Sequence, residues 1–365
     1  MKLESLELLR ASLPLVTPFR TSFGTQTVRE VLLVRVTTKD AEGWSECVAD
    51  SDPLYSSEYV EAAAHVIRHH LVPRLLGVEL SPGGVAQLLA PVKGHRMAKA
   101  ALETALLDAE LHAAGMSLAT YLGGTADRIP AGVSVGIMES IPQLLDAVAG
   151  YLDQGYVRIK LKIEPGWDYE PVKAVRERFG DILLQTDANT AYSLGDWQSL
   201  ARLDPFGLLF HEQPLDEEDL RGHAALARLL RTPICLDESI VSARSAADAL
   251  ALGACSIINI KPGRVGGYLE ARRVHDVAVA NDVPVWCGGM LETGLGRAAN
   301  AALAALPGFS LPGDVSASNR YYAQDLTEPF VLVDGHLTVP TGPGIGVEPL
   351  PGVLEELTST RERVA

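Results

Sequence analysis

The chain has no apolar run of the roughly 18–20 residues that a membrane-spanning helix needs, so a membrane protein is not expected. Met1-Lys2-Leu3-Glu4-Ser5-Leu6-Glu7 alternates polar and apolar residues and carries acids, which reads as a strand and not as a signal peptide. A cytoplasmic location is the expectation. Cysteine is scarce: Cys47, Cys235, Cys255 and Cys287 are scattered with no C-x-x-C pair, and read as buried free thiols. Basic residues are outnumbered, 31 Lys and Arg against 46 Asp and Glu, and a net charge of −15 argues against a nucleic-acid partner. The acidity does not dictate a cationic ligand, because a local metal and lysines can still capture an anion.

What is present fits a globular protein, with 47% hydrophobic and 21% charged residues in 365. That length accommodates two domains, or one large barrel with an attachment. From about residue 129 strand-like and helix-like runs alternate. Short, almost continuously apolar segments at 132–137, 157–163, 182–187, 207–212, 233–237, 256–261, 283–287 and 309–311 read as parallel strands buried on both faces. Helix-like runs such as 141–152, 168–178, 220–230, 243–252 and 268–280 lie between them. Eight such units make a (β/α)8-type TIM barrel, with an open solenoid stack as the competing reading. Residues 1–125 read instead as an α+β capping domain, with antiparallel strands at 3–13, 31–38 and 43–49 and helices at 58–70 and 97–115. The barrel is expected over 126–318, and hairpin signals in 319–365 are read as a return of the tail to the cap.

Five strand-like segments end in a charged residue at near-equal intervals: Lys162, Asp187, Glu212, Asp237 and Lys261, in steps of 25, 25, 25 and 24 residues. The step is the length of one βα unit, and the C-terminal ends of barrel strands are where such folds keep their chemistry. Base, three carboxylates, base describes a divalent-metal site flanked by two proton-transfer groups, and hard carboxylate oxygens suit Mg²⁺ or Mn²⁺. Lys160 and Lys162 are two apart on one strand and share a face. They are either an exposed pair or a buried pair with anionic partners, and the apolar Ile159, Leu161 and Ile163 favour burial. Capping of the following helices is the competing role for the acids; it suits Asp237 but explains Glu212 poorly, because Pro214 and Leu215 intervene before the next helix.

Taken together, Lys160-Leu161-Lys162, Asp187-Ala188-Asn189, Glu212-Gln213-Pro214, Asp237-Glu238-Ser239 and Lys261-Pro262-Gly263-Arg264 resemble the enolase superfamily, in its muconate-lactonising-enzyme subgroup. Phe19-Arg20-Thr21-Ser22-Phe23-Gly24, Val133-Ser134-Val135-Gly136-Ile137, Gly288-Gly289-Met290-Leu291-Glu292-Thr293-Gly294 and Leu311-Pro312-Gly313-Asp314 narrow the likeness to the o-succinylbenzoate synthase / N-acylamino acid racemase family. The resemblance runs nearly end to end. His211 departs from it, since an aliphatic residue is common there; it should point away from the site.

The resemblance implies a modified (β/α)7β barrel, with Asp187, Glu212 and Asp237 as ligands of Mg²⁺, or of Mn²⁺ or Co²⁺. It implies Lys162 and Lys261 as acid–base groups on opposite faces of a substrate α-carbon. Members of the superfamily pair a Lys or His base with Mg²⁺ that stabilises an enediolate. Asn189, Glu238 and Arg264 would support these groups. Lys160, Ser134, Gly288, Met290, Glu292, Phe19, Phe23 and Tyr55 would bind a small-molecule carboxylate substrate, an N-succinylamino acid or an o-succinylbenzoate precursor. The family commonly assembles as homo-octamers, so a homo-oligomer is implied. A dipeptide epimerase is an alternative, but the Asp-x-Asp common at its eighth strand is missing from Pro312-Gly313-Asp314-Val315-Ser316. A catalytically silent metal-binding barrel is the non-enzyme alternative. His65, His69 and His70 read as a solvated helix face. The glycines from 288 to 296 lack the lysine that a phosphate loop needs.

Overall fold

A computed structural model describes residues Met1–Ala365. Three antiparallel strands open the chain: β1 (Leu3–Thr21), β2 (Gly24–Thr38) and β3 (Glu42–Cys47). The C-terminal strand Thr358–Arg363 adds to the free edge of β1, giving a four-stranded sheet. Alternation along β1 and β2 makes two buried faces, as a two-residue period requires. Leu9, Ala11, Leu13, Val31 and Leu33 join the large core that runs into the barrel. Leu6, Leu8, Leu32, Val34 and Val36 pack in a separate core under the cap helices. The long helix Arg96–Ala114 lies against β3, where Gly43 is required: a Cβ there would strike the Ala105 carbonyl and the Ala109 amide.

A short strand β4 (Arg128–Pro130) leads into seven parallel strands: β5 (Gly132–Val135), β6 (Arg158–Lys162), β7 (Leu183–Asp187), β8 (His211–Glu212), β9 (Ile234–Leu236), β10 (Ile257–Ile260) and β11 (Val285–Cys287). They pair strictly in order from β5 to β11, with helices such as Ile141–Asp153, Tyr169–Phe179, Ala243–Leu252 and Tyr268–Val279 between them. The fold is a TIM barrel with an α+β cap. The segment expected as an eighth strand forms no ladder. Single bridges, Val285 with Phe309 and Ala131 with Gly313, link it to β11 and to the start of β5. Pro312, Gly313 and the carbonyl contacts made there leave too little regular backbone for a strand.

The tail does two things. His336–Thr338 (β12) pairs with β4, and Gly335 accepts from Ala131 N at the entry to β5, at the end of the barrel away from the charged strand ends. Tyr321 O already accepts from Val16 N in β1 before this, and helix Pro351–Leu357 and strand β13 (Thr358–Arg363) complete the return to the cap sheet. All four cysteines are free and buried. No helix is long and apolar enough to cross a membrane.

Candidate active site

Strand register assembles the charged residues. Lys162 pairs with Asp187 across β6 and β7, and Asp187 with Glu212 across β7 and β8. Below them the barrel interior is closed by Phe210, Cys235, Ile257 and Trp286. Trp286 is a floor for cations, with Lys160 Nζ 4.9 Å and the Arg158 guanidinium 5.1 Å from its ring centroid. Arg158 sits over Gly132, where any side chain would collide with the guanidinium.

Every lysine here is buried and has an anionic partner, as the desolvation of an ammonium demands. Lys162 Nζ donates to Asp187 Oδ2 and to Asn189 Oδ1, both at 2.6 Å. Lys160 Nζ donates to Glu212 Oε2 at 3.0 Å, lies 3.2 Å from Asp187 Oδ2, and is also paired with Asp314. Lys261 Nζ is 2.9 Å from Asp237 Oδ2 and donates to the Tyr55 hydroxyl at 3.0 Å. Burial lowers the Lys162 ammonium below the usual lysine range, although Asp187 opposes it. Burial would lower Lys261 too, but the Tyr55 oxygen and the Glu238 and Glu212 carboxylates outweigh it and hold it above that range.

Neighbouring groups set the carboxylates. Asn259 Nδ2 donates to Glu212 Oε1 at 2.7 Å, and Arg264 pairs with Asp237. Asn189 Nδ2 donates to Glu238 Oε1 at 2.9 Å, and its own N–H donates to Asp187 Oδ1 at 3.0 Å. Gln213 Oε1 accepts from the N–H groups of Asp237 and Ser239, at 3.0 and 3.2 Å, tying the β8 and β9 ends together. Asn189, Gln213 and Leu291 all have positive φ, and backbone held in this sparsely populated region clusters at functional sites.

One cavity brings most of the expected residues together: Phe19, Phe23, Tyr55, Ser134, Lys160, Lys162, Lys261 and Met290 all line it, with Asn189. Asp187, Glu212 and Asp237 lie beneath the lysines and not on the wall. Glu238 and Arg264 line a neighbouring cavity behind Tyr55. Gly288 and Glu292 do not reach the substrate cavity, unlike Gly289 and Leu291 beside them. Gly288 is packed on the Asn259 side chain. The Glu292 carboxylate is turned away, accepting from Met290 N at 2.8 Å and Asn300 Nδ2 at 2.9 Å. His211 also faces away; Thr186 Oγ1 is 2.7 Å from its Nδ1, and burial lowers its pKa to about 4, so it is neutral.

Several residues escaped the sequence reading. Asp314, Asn259 and Arg158 hold the buried charges, while Asp50, Gln26 and Tyr321 complete the cavity wall. Arg158 carries a legible signal, a third basic residue at the same two-residue spacing as Lys160 and Lys162 on β6, and Asp314 stood in a noted motif without a role.

Asp187 and Glu212 are a hard-oxygen donor pair in register and fully buried. Burial, and then repulsion from Asp187, raises the Glu212 carboxyl, so this pair fits a divalent cation. Here their oxygens are taken by Lys160, Lys162 and Asn259, and no three acidic, His or Cys side chains gather into a ligand cluster.

Three buried lysines and three carboxylates thus stand at the strand ends of a capped barrel, and comparison with known proteins gives the class, the enolase superfamily. Residues 143–353 match the enolase C-terminal domain-like family, and residues 5–123 match the mandelate racemase / muconate lactonizing enzyme N-terminal domain. The chain belongs to the mandelate racemase / muconate lactonizing enzyme family. It is 68% identical to an N-succinylamino acid racemase of Amycolatopsis sp over 99% of each chain. It is 47% identical to an o-succinylbenzoate synthase of Geobacillus kaustophilus, over 95% of this chain and 94% of that one. A solved enolase-superfamily structure from Listeria innocua superposes with a TM-score of 0.96, at 40% identity, covering 100% of this chain and 99% of the other. Superfamily members use a divalent metal.

Proposed function

We propose that this enzyme abstracts the α-proton of a small carboxylate, racemising N-succinylamino acids and dehydrating the precursor of o-succinylbenzoate in the same cavity. The observation that carries the reading is one cavity lined by two buried lysines from strands four places apart in the sheet order, Lys162 on β6 and Lys261 after β10. The relatives' names support the substrate class. Asp187, Glu212 and Asp237 would hold the ion, Mg²⁺ with Mn²⁺ or Co²⁺ as substitutes, which when bound offsets negative charge on the substrate carboxylate.

An α-proton next to a carboxylate is too weakly acidic to be lost unless the developing enediolate meets fixed positive charge. Lys162, as the free amine, takes the proton from one face. Lys261, as the ammonium, gives a proton to the opposite face, and the inverted amino acid results. With a β-hydroxyl in place, the proton taken by Lys162 leaves with that hydroxyl as water, and Lys261 only offsets charge. The aromatic wall of Phe19, Phe23, Tyr55 and Tyr321 excludes water and holds the apolar part of the substrate. Asp314 is committed to Lys160 and Arg158, which disfavours it as a receptor for the free amino terminus of a dipeptide. We place the enzyme in the cytoplasm as a homo-oligomer, with 1–125 and 319–365 as cap and 126–318 as barrel.

The test is α-proton exchange of D- and L-N-succinylphenylalanine in D₂O by Lys162→Ala and Lys261→Ala. Each variant should lose net racemisation yet keep exchange of one enantiomer, opposite in the two. Wild-type exchange of both enantiomers by both variants would remove the lysines from the mechanism.

A further inference from the structure

Lys162 and Lys261 are held in different ways. The partners of Lys162, Asp187 and Asn189, come from the barrel alone. Lys261 is shared between the barrel's Asp237 and the cap's Tyr55. The Tyr55 hydroxyl uses its whole hydrogen-bonding capacity there. It accepts from Lys261 Nζ at 3.0 Å and from Arg264 Nη1 at 3.2 Å, and donates to Asp237 Oδ2 at 3.4 Å. Its ring also lies 4.7 Å from the Lys261 ammonium.

The loop carrying Tyr55 is built to hold that position. Asp50 and Tyr59 bridge its two ends, and Val60 N donates to Asp50 O at 2.9 Å. Glu58 accepts from Met97 N and Ala98 N at the start of the long cap helix, at 3.0 and 3.2 Å. Phe23, from the β1–β2 hairpin, packs on the Tyr55 ring at 5.9 Å. Ser22 in that hairpin donates to the carbonyls of Ala188 and Asn189 at 3.2 and 3.3 Å, which anchors it on the barrel.

We propose that Tyr55 is a positioning residue for Lys261: the docked cap loop aims the second lysine at the α-carbon and leaves Lys162 unaffected. One face of the substrate is then served by the barrel alone, and the other only when the cap is in place. In the step concerned, a Lys261 N–H bond breaks and a C–H bond forms at the α-carbon, leaving the neutral amine; the reverse step restores the ammonium. A hydroxyl lost from Tyr55 leaves Lys261 one anchor and free rotamers, and misplacement of about 1 Å is enough to cost on the order of 10²-fold.

This inference rests on the two-lysine reading, and one experiment separates them. The Lys261 face is first defined as that of the enantiomer whose exchange survives in Lys162→Ala. Tyr55→Phe, and Tyr55→Met as a second variant without the hydroxyl, are then compared with wild type by D₂O exchange and thermal melting. Exchange on the Lys261 face should fall roughly 10–100-fold further than exchange on the Lys162 face, over and above any loss common to both faces from Tyr55's place in the substrate wall. Dehydration should fall less than racemisation. Equal losses on both faces, no loss on either, or a change confined to KM would overturn the role, as would failure of both variants to fold. If the lysine variants themselves show no face preference, the two-lysine reading falls first and this role with it.

Discussion

At the scale of single residues the buried charges decide most. Lys160 lines the cavity as expected of a substrate contact, but it also ties Asp187, Glu212 and Asp314 together. Asp314 is the hinge of that arrangement, because Arg158 Nη1 donates to it at 2.8 Å from the other side. Both bases hold its carboxyl well below the usual range, against the burial that would raise it. Asp314→Asn would leave two buried cations with one anion fewer, and breaking such a pair typically costs about 3–5 kcal/mol. Urea unfolding should show a loss of that order, and Arg158→Met in the same chain should recover part of it. Additive losses in the double variant would show that the two residues are not coupled.

At the scale of elements, the joint between cap and barrel carries a titratable latch. Glu103, on the cap helix Arg96–Ala114, accepts from Leu269 N at 3.1 Å in the first turn of the barrel helix Tyr268–Val279. Gly267 makes this approach possible, since a Cβ there would strike the carboxylate, and its φ of 137° suits glycine alone. Burial raises the Glu103 carboxyl to about 7, against backbone hydrogen bonds that lower it. A carboxyl raised above its unfolded value of 4.5 binds a proton more tightly in the folded state. Its contribution is therefore full below that value and is lost as pH rises through about 7. Glu103→Gln removes the ionisation, so the melting temperature of the variant minus that of wild type should rise between pH 5 and pH 8. A difference independent of pH would mean that Glu103 titrates normally.

For the whole molecule, the proposed ion site would link binding to folding. Asp187 and Glu212 stand side by side, and Asp237 two residues beyond the β8–β9 pairing, only when β7, β8 and β9 are in register, so an ion held by them would bind the folded chain and not the unfolded one. Free Mg²⁺ at 100 times its dissociation constant should stabilise the protein by about 2.7 kcal/mol. Excess chelator should reverse the shift and abolish turnover. Glu212→Gln should lose the Mg²⁺-dependent shift in melting; an undiminished shift in that variant would place the ion elsewhere.

Periodicity alone made the barrel legible, because strands buried on both faces must be apolar throughout and the βα unit has a nearly constant length. For the same reason the charged residue closing each of five strands stood out, and Lys162, Asp187, Glu212, Asp237 and Lys261 could be named from spacing. Contacts between residues far apart in the chain were not legible. Nothing local marks Tyr55 as the partner of Lys261, which is 206 positions away, or Asp314 as the partner of Arg158, 156 away. Nor does Glu292 reveal that its carboxylate turns back to Met290 and Asn300. The tail's hairpin signals were visible, but not its pairing with β4 on the way to β13. The sequence by itself determined which residues would stand at the strand ends, since period and polarity are local properties. Only the tertiary structure decided which charges neutralise one another, because burial forces each to find a partner wherever the chain's return brings one within hydrogen-bond reach.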